Sequence, residues 1–224
     1  MRSFHVTRRM LLGSLAAGAT FAAVRPAIGE NTLGRVLAVE GSLTRLNATP
    51  GEALSPGNSL IENDKLQTGK ESFARLKLGE DTDILLGPNT HLVVDHFLAG
   101  QGGELELMSG QMLFDRPEGL PKIDVSVRTT FGMIGVRGTK FFAGPLQGVF
   151  SVFVEHGKIE VSNAGVSRKV IGGEGLEIRA PQGSTRSLGA KQDIRDIARL
   201  AIPAPPAPWA QDRIRAAYAS VGLK

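Results

Sequence analysis

The stretch Ile123-Asp-Val-Ser-Val-Arg-Thr-Thr-Phe-Gly-Met-Ile-Gly-Val-Arg-Gly-Thr-Lys-Phe-Phe142 decides the fold class. It begins with strict alternation, Ile123, Val125 and Val127 against Asp124, Ser126 and Arg128, which is the pattern of a half-buried strand. Gly132, Gly135 and Gly138 then recur every third residue, where the backbone can take positive φ or pass a neighbour too close for a side chain. Thr139 to Ala143 resume a β-prone run, and a strong strand follows over 148–154. The stretch therefore reads as strand, glycine-punctuated corner, strand, hairpin.

Outward from it, the same device repeats. Short β-prone runs occupy 34–39, 42–46, 59–61, 64–68, 72–78, 82–86, 91–97, 103–107, 110–115, 158–162, 167–171 and 175–180, separated by turns rich in Gly, Pro, Asn and Asp. Alternation places Ala74, Leu76, Leu78, Ile84, Leu86, Leu92, Val94, Leu105, Leu107, Met112 and Phe114 in the core. The chain is mainly β, and so many short, evenly spaced strands indicate a sandwich, barrel or solenoid, with one or two helices near its C-terminal end.

The run 127–141, Val-Arg-Thr-Thr-Phe-Gly-Met-Ile-Gly-Val-Arg-Gly-Thr-Lys-Phe, followed by Val-Phe-Val-Glu-His-Gly-Lys-Ile-Glu-Val over 152–161, resembles the signature of the FecR domain. That pattern is roughly T-P-x-G-x-x-x-V-R-G-T-x-F, then V-x-V-x-x-G-x-V-x-V. Upstream, 57–69 and 72–79 are similar to the family's G-x-x-L-x-x-G-D-x-L-x-T-G and S-x-A-x-L-x-L blocks, so the resemblance spans 36–162. Gly132, Gly135, Arg137, Gly138, Thr139 and Phe141 are its signature positions here. Thr130 stands where proline is usual, and Asn63 where glycine commonly precedes Asp64. The resemblance implies short strands wound into a β-helical or solenoid-like stack, and a periplasmic recognition domain of surface signalling. In that family it is carried by a membrane regulator with a cytoplasmic anti-sigma region, and its far terminal part meets an outer-membrane receptor. Here neither a cytoplasmic region nor a retained span is read, and only the β domain carries over.

Residues 1–29 read as an export signal: Arg2, Arg8 and Arg9 make a positive start, a weakly apolar run follows, and Ala27-Ile-Gly29 offers a cleavage site after Gly29. Arg8 and Arg9 directly before the apolar run resemble a twin-arginine signal, which implies the Tat translocon during export; a general secretory signal is the alternative. The run is too short and polar to be a stable membrane anchor. The expected destination is the periplasm, as a soluble protein. Removing this segment takes four of the 26 basic residues and no acid, leaving a balance against the 22 acids, so the high isoelectric point belongs to the signal. With one tryptophan and one tyrosine besides, nucleic-acid binding is not expected. The absence of cysteine excludes disulfides, thiolate metal sites, a cysteine nucleophile and a lipidated anchor.

The β domain is read over 30–181. Beyond it, 182–202 reads as a helical extension, because Ile194, Ile197, Ala198 and Ala201 share one helical face. Residues 203–208, Pro-Ala-Pro-Pro-Ala-Pro, read as a stiff polyproline II linker, and 209–224 as an amphipathic helix. Trp209, Ile214 and Tyr218 are the possible partner contacts; the alternative is that this helix caps the β domain.

No catalytic constellation is read, neither a Gly-x-Ser-x-Gly elbow nor a His-Glu-x-x-His helix. No cofactor and no metal are expected. His91 and Asp95 share a strand face with His96 opposite, so the three cannot converge without a bulge. The acids Glu62, Asp64 and 80–83 lack calcium-loop spacing. Arg137 either satisfies groups at the glycine corner or reaches outward to a partner's carboxylate. The functional expectation is a non-catalytic interaction or sensor module of envelope signalling, with an envelope protein as partner. The alternative is a glycan-binding or structural scaffold protein, against which the scarcity of aromatic residues counts.

Overall fold

A computed structural model describes residues 32–47, 49–179 and 198–223. The expected export signal, with Arg8, Arg9 and the site after Gly29, lies outside the described residues, as does most of the expected helical extension.

The chain deals its strands alternately to two sheets. β1 (Thr32–Glu40) enters the first sheet, β2 (Leu43–Arg45) and β3 (Glu52–Ala53) the second, β4 (Ser59–Ile61) the first and β5 (Asp64–Thr68) the second. The hairpin of β6 (Phe73–Leu78) and β7 (Thr82–Leu86) then joins the first sheet, and that of β8 (His91–Leu98) and β9 (Gly102–Ser109) the second. The alternation continues with β10 (Met112–Asp115), the pair β11 (Asp124–Thr129) and β12 (Gly132–Arg137), the pair β13 (Lys140–Leu146) and β14 (Val149–His156), the pair β15 (Lys158–Asn163) and β16 (Val166–Ile171), and β17 (Glu174–Arg179). From β7 to β17, each arrival pairs with the preceding occupant of its sheet, whereas β5 pairs with β2 and β6 with β1, which leaves β3 and β4 at the edges. The first sheet runs β18-β17-β14-β13-β10-β7-β6-β1-β4 and the second β16-β15-β12-β11-β9-β8-β5-β2-β3, where β18 (Ile202–Pro203) and β19 (Ala207–Pro208) both pair with β17.

The two sheets enclose one core. Val36, Leu76, Ile84, Phe114, Phe141 and Val152 of the first sheet meet Leu66, Leu92, Leu105, Val127, Ile134 and Val161 of the second, and every residue that alternation placed in the core is in this cluster. Of the architectures open from the sequence, sandwich, barrel or solenoid, the two-sheet one is found. A β-helix stacks parallel coils, whereas among the described residues only β9 and β11 pair in parallel.

Three local readings need correction. The glycine corner is a hairpin followed by a strand: β12 pairs with β11 from Thr129–Gly132 to Asp124–Arg137. Its Ile134 and Val136 enter the core, and Met133 and Arg137 face solvent. The proline run 203–208 is no free spacer, since Pro203 and Pro208 lie in short strands along the edge of β17. An edge tolerates proline because the missing N–H need only face outward. Ile202 belongs to β18 and not to a helix, the described helical residues before it being 198–200. The last helix, α1 (Gln211–Ala219), is found within the expected stretch. No helix among the described residues is long and apolar enough to cross a membrane.

Candidate functional site

The outer faces of the two sheets have opposite fates. On the first sheet Leu85, Leu113, Phe142, Leu146 and Phe153 point away from the core, and Trp209, Ala217 and Val221 cover them, with Ile214, Tyr218 and Leu223 packed alongside. Trp209 is buried, its ring stacked on that of Phe153 with centroids 5.1 Å apart. Polar latches hold the strap down. Arg213 lies over Trp209 and donates to Glu177 and to the Ser151 hydroxyl, and Tyr218 donates to the Glu155 carboxylate, which Lys140 also approaches at 3.2 Å. Burial disfavours the charged form of Glu155, but the hydrogen bonds from Tyr218 and Lys140 outweigh it and its pKa is lowered. At Glu177, likewise, hydrogen bonds from Arg179 and Arg213 overcome desolvation and lower the pKa. Burial, then the bond to Glu155, raises that of Tyr218. Of the possible partner contacts, then, Trp209 is spent on the chain's own sheet, and Ile214 and Tyr218 are partly covered there.

The outer face of the second sheet carries polar side chains over a depression of about 740 Å³. Register explains its shape. His96 of β8 pairs with Glu104 of β9, Glu104 with Ser126 of β11, Ser126 with Gly135 of β12, Gly135 with Glu160 of β15, and Glu160 with Lys169 of β16. One row thus crosses six strands. At its middle stand a hydroxyl and a glycine, so the row dips where Ser126 and Gly135 lie. Arg137 and Lys158 form part of one wall, and the lining contains no Phe, Tyr or Trp.

The signature residues divide by role. Gly132 takes φ 125°, and a Cβ there would meet the Ser162 carbonyl oxygen at 2.3 Å; Gly138 takes φ 63°. The close approach makes glycine necessary at 132, and the left-handed backbone at 138 favours it. Gly135 has neither constraint, its nearest atom to a built Cβ being the Glu160 carbonyl oxygen at 3.9 Å. Thr139 is buried and its hydroxyl donates to the Lys158 carbonyl, and buried Phe141 stacks on Phe114 at 5.4 Å. Arg137 is exposed, and its Nε lies 3.4 Å from Asp124 Oδ1. It pairs with a surface acid across the hairpin and stands at the wall of the depression.

The bulge that a histidine–carboxylate cluster would need is present. Register shifts between Val94 and His96, and it brings Asp95 and His96 together with Glu104, their ligand atoms within 4.8 Å of one another. His91 is not in this group. Glu104 is already engaged by Arg128, so a metal ion would have to displace an ion pair. The other acids are dispersed into structure: Asp83 pairs with Arg75 and Lys77, and buried Asp64 takes the Arg45 guanidinium and the Ile61 N–H. Sequence reasoning missed Glu104, Ser126 and Glu160, which only cross-strand register unites with Gly135.

Comparison with known proteins falls on this frame. Residues 64–160 match the family profile described as FecR protein. The FecR match runs from buried Asp64 in β5 to Glu160 in β15, and so includes most of the depression. The two residues that depart from the signature pattern are each accommodated. Asn63, in place of glycine, takes φ 63°, which asparagine tolerates. Thr130, in place of proline, donates its hydroxyl to the Met108 carbonyl. Two crystal structures of a candidate anti-sigma factor from Parabacteroides distasonis are similar at 19% and 20% identity, each with a TM-score of 0.43 and covering 51% of this chain. The chain spans 54% of the length of those proteins. No curated protein matches.

Proposed function

We propose that this chain is an exported, non-catalytic FecR-like module that recognises a protein partner in the cell envelope as part of signalling, and that the outer face of the second sheet is its contact surface. The carrying observation is the asymmetry of the sandwich: the chain's own strap occupies one outer face, and the other presents a concave polar surface. The FecR match supports the signalling context, and the Arg8–Arg9 signal supports export, with the periplasm as the site of action. A glycan partner is disfavoured by a lining without Phe, Tyr or Trp, since sugar faces are held largely by stacking on such rings.

The test is photocrosslinking in intact cells from single positions on each outer face, Ser126 and Lys158 on the second sheet and Arg215 on α1. The proposal expects one reproducible protein adduct from Ser126 and Lys158 and none from Arg215. Adducts only from Arg215, or retention on envelope polysaccharide without any protein adduct, would overturn it. Arg8→Lys with Arg9→Lys, followed by fractionation, tests the export route: precursor accumulating inside the cell supports twin-arginine export, and unchanged export rejects it.

A further inference from the structure

Gly135 is the observation that the fold leaves unexplained. A glycine inside a strand weakens it, and typically marks a bulge, a bend or a place where something approaches the backbone closely. Gly135 sits at no register shift in β12, has no positive φ, and has room for a side chain. What its missing side chain does accomplish is to open the floor of the depression, midway along the row that crosses six strands.

The charges around that floor are unequally committed. Glu104 is held by Arg128, Asp124 by the Nε of Arg137, and Glu160 accepts the Ser167 hydroxyl. Lys158 and Lys169 have no ion-pair partner among the described residues, and Arg137, 61% exposed, meets Asp124 at the surface. The charges without an ion pair are then Lys158, Lys169 and Glu160, two cations against one anion, so the uncommitted charge on β15 and β16 is net positive, with exposed Arg137 of β12 beside it. We propose that the depression binds an extended acidic segment of a polypeptide, its carboxylates on Arg137, Lys158 and Lys169 and its backbone over Gly135. This rests on the reading of the second sheet's outer face as the partner surface, and names the chemistry of that partner. The width fits. Six strands at about 4.8 Å span about 24 Å, the length of about seven extended residues. A polysaccharide or a single-stranded nucleic acid would need the aromatic platforms that the lining lacks.

The test uses the full chain and fluorescence anisotropy with three labelled heptapeptides of Gly and Ser, one carrying glutamates, one lysines and one uncharged. The acidic peptide is expected to bind, more weakly as salt rises. Gly135→Leu, and Lys158→Glu combined with Lys169→Glu, are each expected to weaken it by at least about ten-fold, while Lys70→Glu, a charge reversal away from the depression, leaves it unchanged. Equal binding of the three peptides, no binding of the acidic one, or an affinity indifferent to the lysine reversals would overturn the proposal. So would preferential binding of an oligouronate. Should Gly135→Leu fail to fold, the paired surface lysine variant decides alone. Protein adducts at Ser126 and Lys158 without acidic-peptide binding would reject this inference and leave the partner surface standing; adducts only from Arg215 would remove both.

Discussion

The guanidinium of Arg213 lies 4.0 Å above the ring of Trp209 while its Nη2 donates to Glu177 at 2.5 Å. One side chain thus clamps the strap to the first sheet twice, through a cation–π contact and a charged hydrogen bond. Arg213→Ala is expected to cost about 1–2 kcal/mol. Trp209→Ala, which empties the space against Phe153, is expected to cost about 3–5 kcal/mol. Urea unfolding midpoints at constant m-value give both; an Arg213→Ala loss as large as that of Trp209→Ala would mean the contact is not a surface clamp.

The clamp is acid-sensitive. Glu177 and Glu155 have folded pKa values below their unfolded ones, so their stabilisation is complete above the ordinary glutamate value of about 4.3 and is lost as pH falls below it through the depressed folded values. Because the chain has a single tryptophan, emission reports the strap directly. A red shift of Trp209 on acidification below about pH 4 is expected, and Glu177→Gln should flatten much of that response. Emission constant down to acid unfolding would show that the strap does not titrate apart from the body.

Gly132 and Gly135 should answer alanine differently. Gly132→Ala places a Cβ 2.3 Å from a backbone oxygen at φ 125° and is expected to cost more than about 1 kcal/mol. Gly135→Ala restores a side chain to an open strand position, with an expected gain of about 0.4–1 kcal/mol. Thermal unfolding of the pair decides it, and equal losses at both positions would contradict the separation of structural from surface glycine.

Asp64 is fully buried, at 0% exposure, and bound to Arg45 and the Ile61 N–H. Asp64→Ala leaves the Ile61 N–H unpaired and takes one partner from a guanidinium that keeps Glu52 and the Ser59 carbonyl, at an expected cost of about 1–3 kcal/mol, with Asp64→Asn recovering part through the retained acceptor. A loss under about 1 kcal/mol would mean the pair behaves as a surface bridge.

Much of this was legible in the sequence wherever period two and burial coincide. The core of β6, β7 and β10 follows from alternation alone, and the helix after Gln211 from its spacing. β12 was hidden because three evenly spaced glycines look like one device, although Ile134 and Val136 carry the strand alternation between them. Only φ and close approach separate Gly132 and Gly138 from Gly135. The proline run was misread because an extended backbone that suits polyproline II also suits a sheet edge, and which one forms depends on the exposed flank of β17. The depression was beyond reach for a related reason: its row joins residues from six strands through register, and the Asp95–His96 bulge shifts that register without a sequence mark.

The order in which strands enter the sheets bears on how the molecule forms. Among the described residues no two strand partners are farther apart in the chain than Gly34 and Leu78, so each hairpin docks on a strand laid down shortly before it. Large β proteins are usually slowed by distant pairings that must close long loops first. Here assembly can advance as a front from the amino-terminal strands, and the strap, arriving last on β17, is the segment whose docking ends that advance.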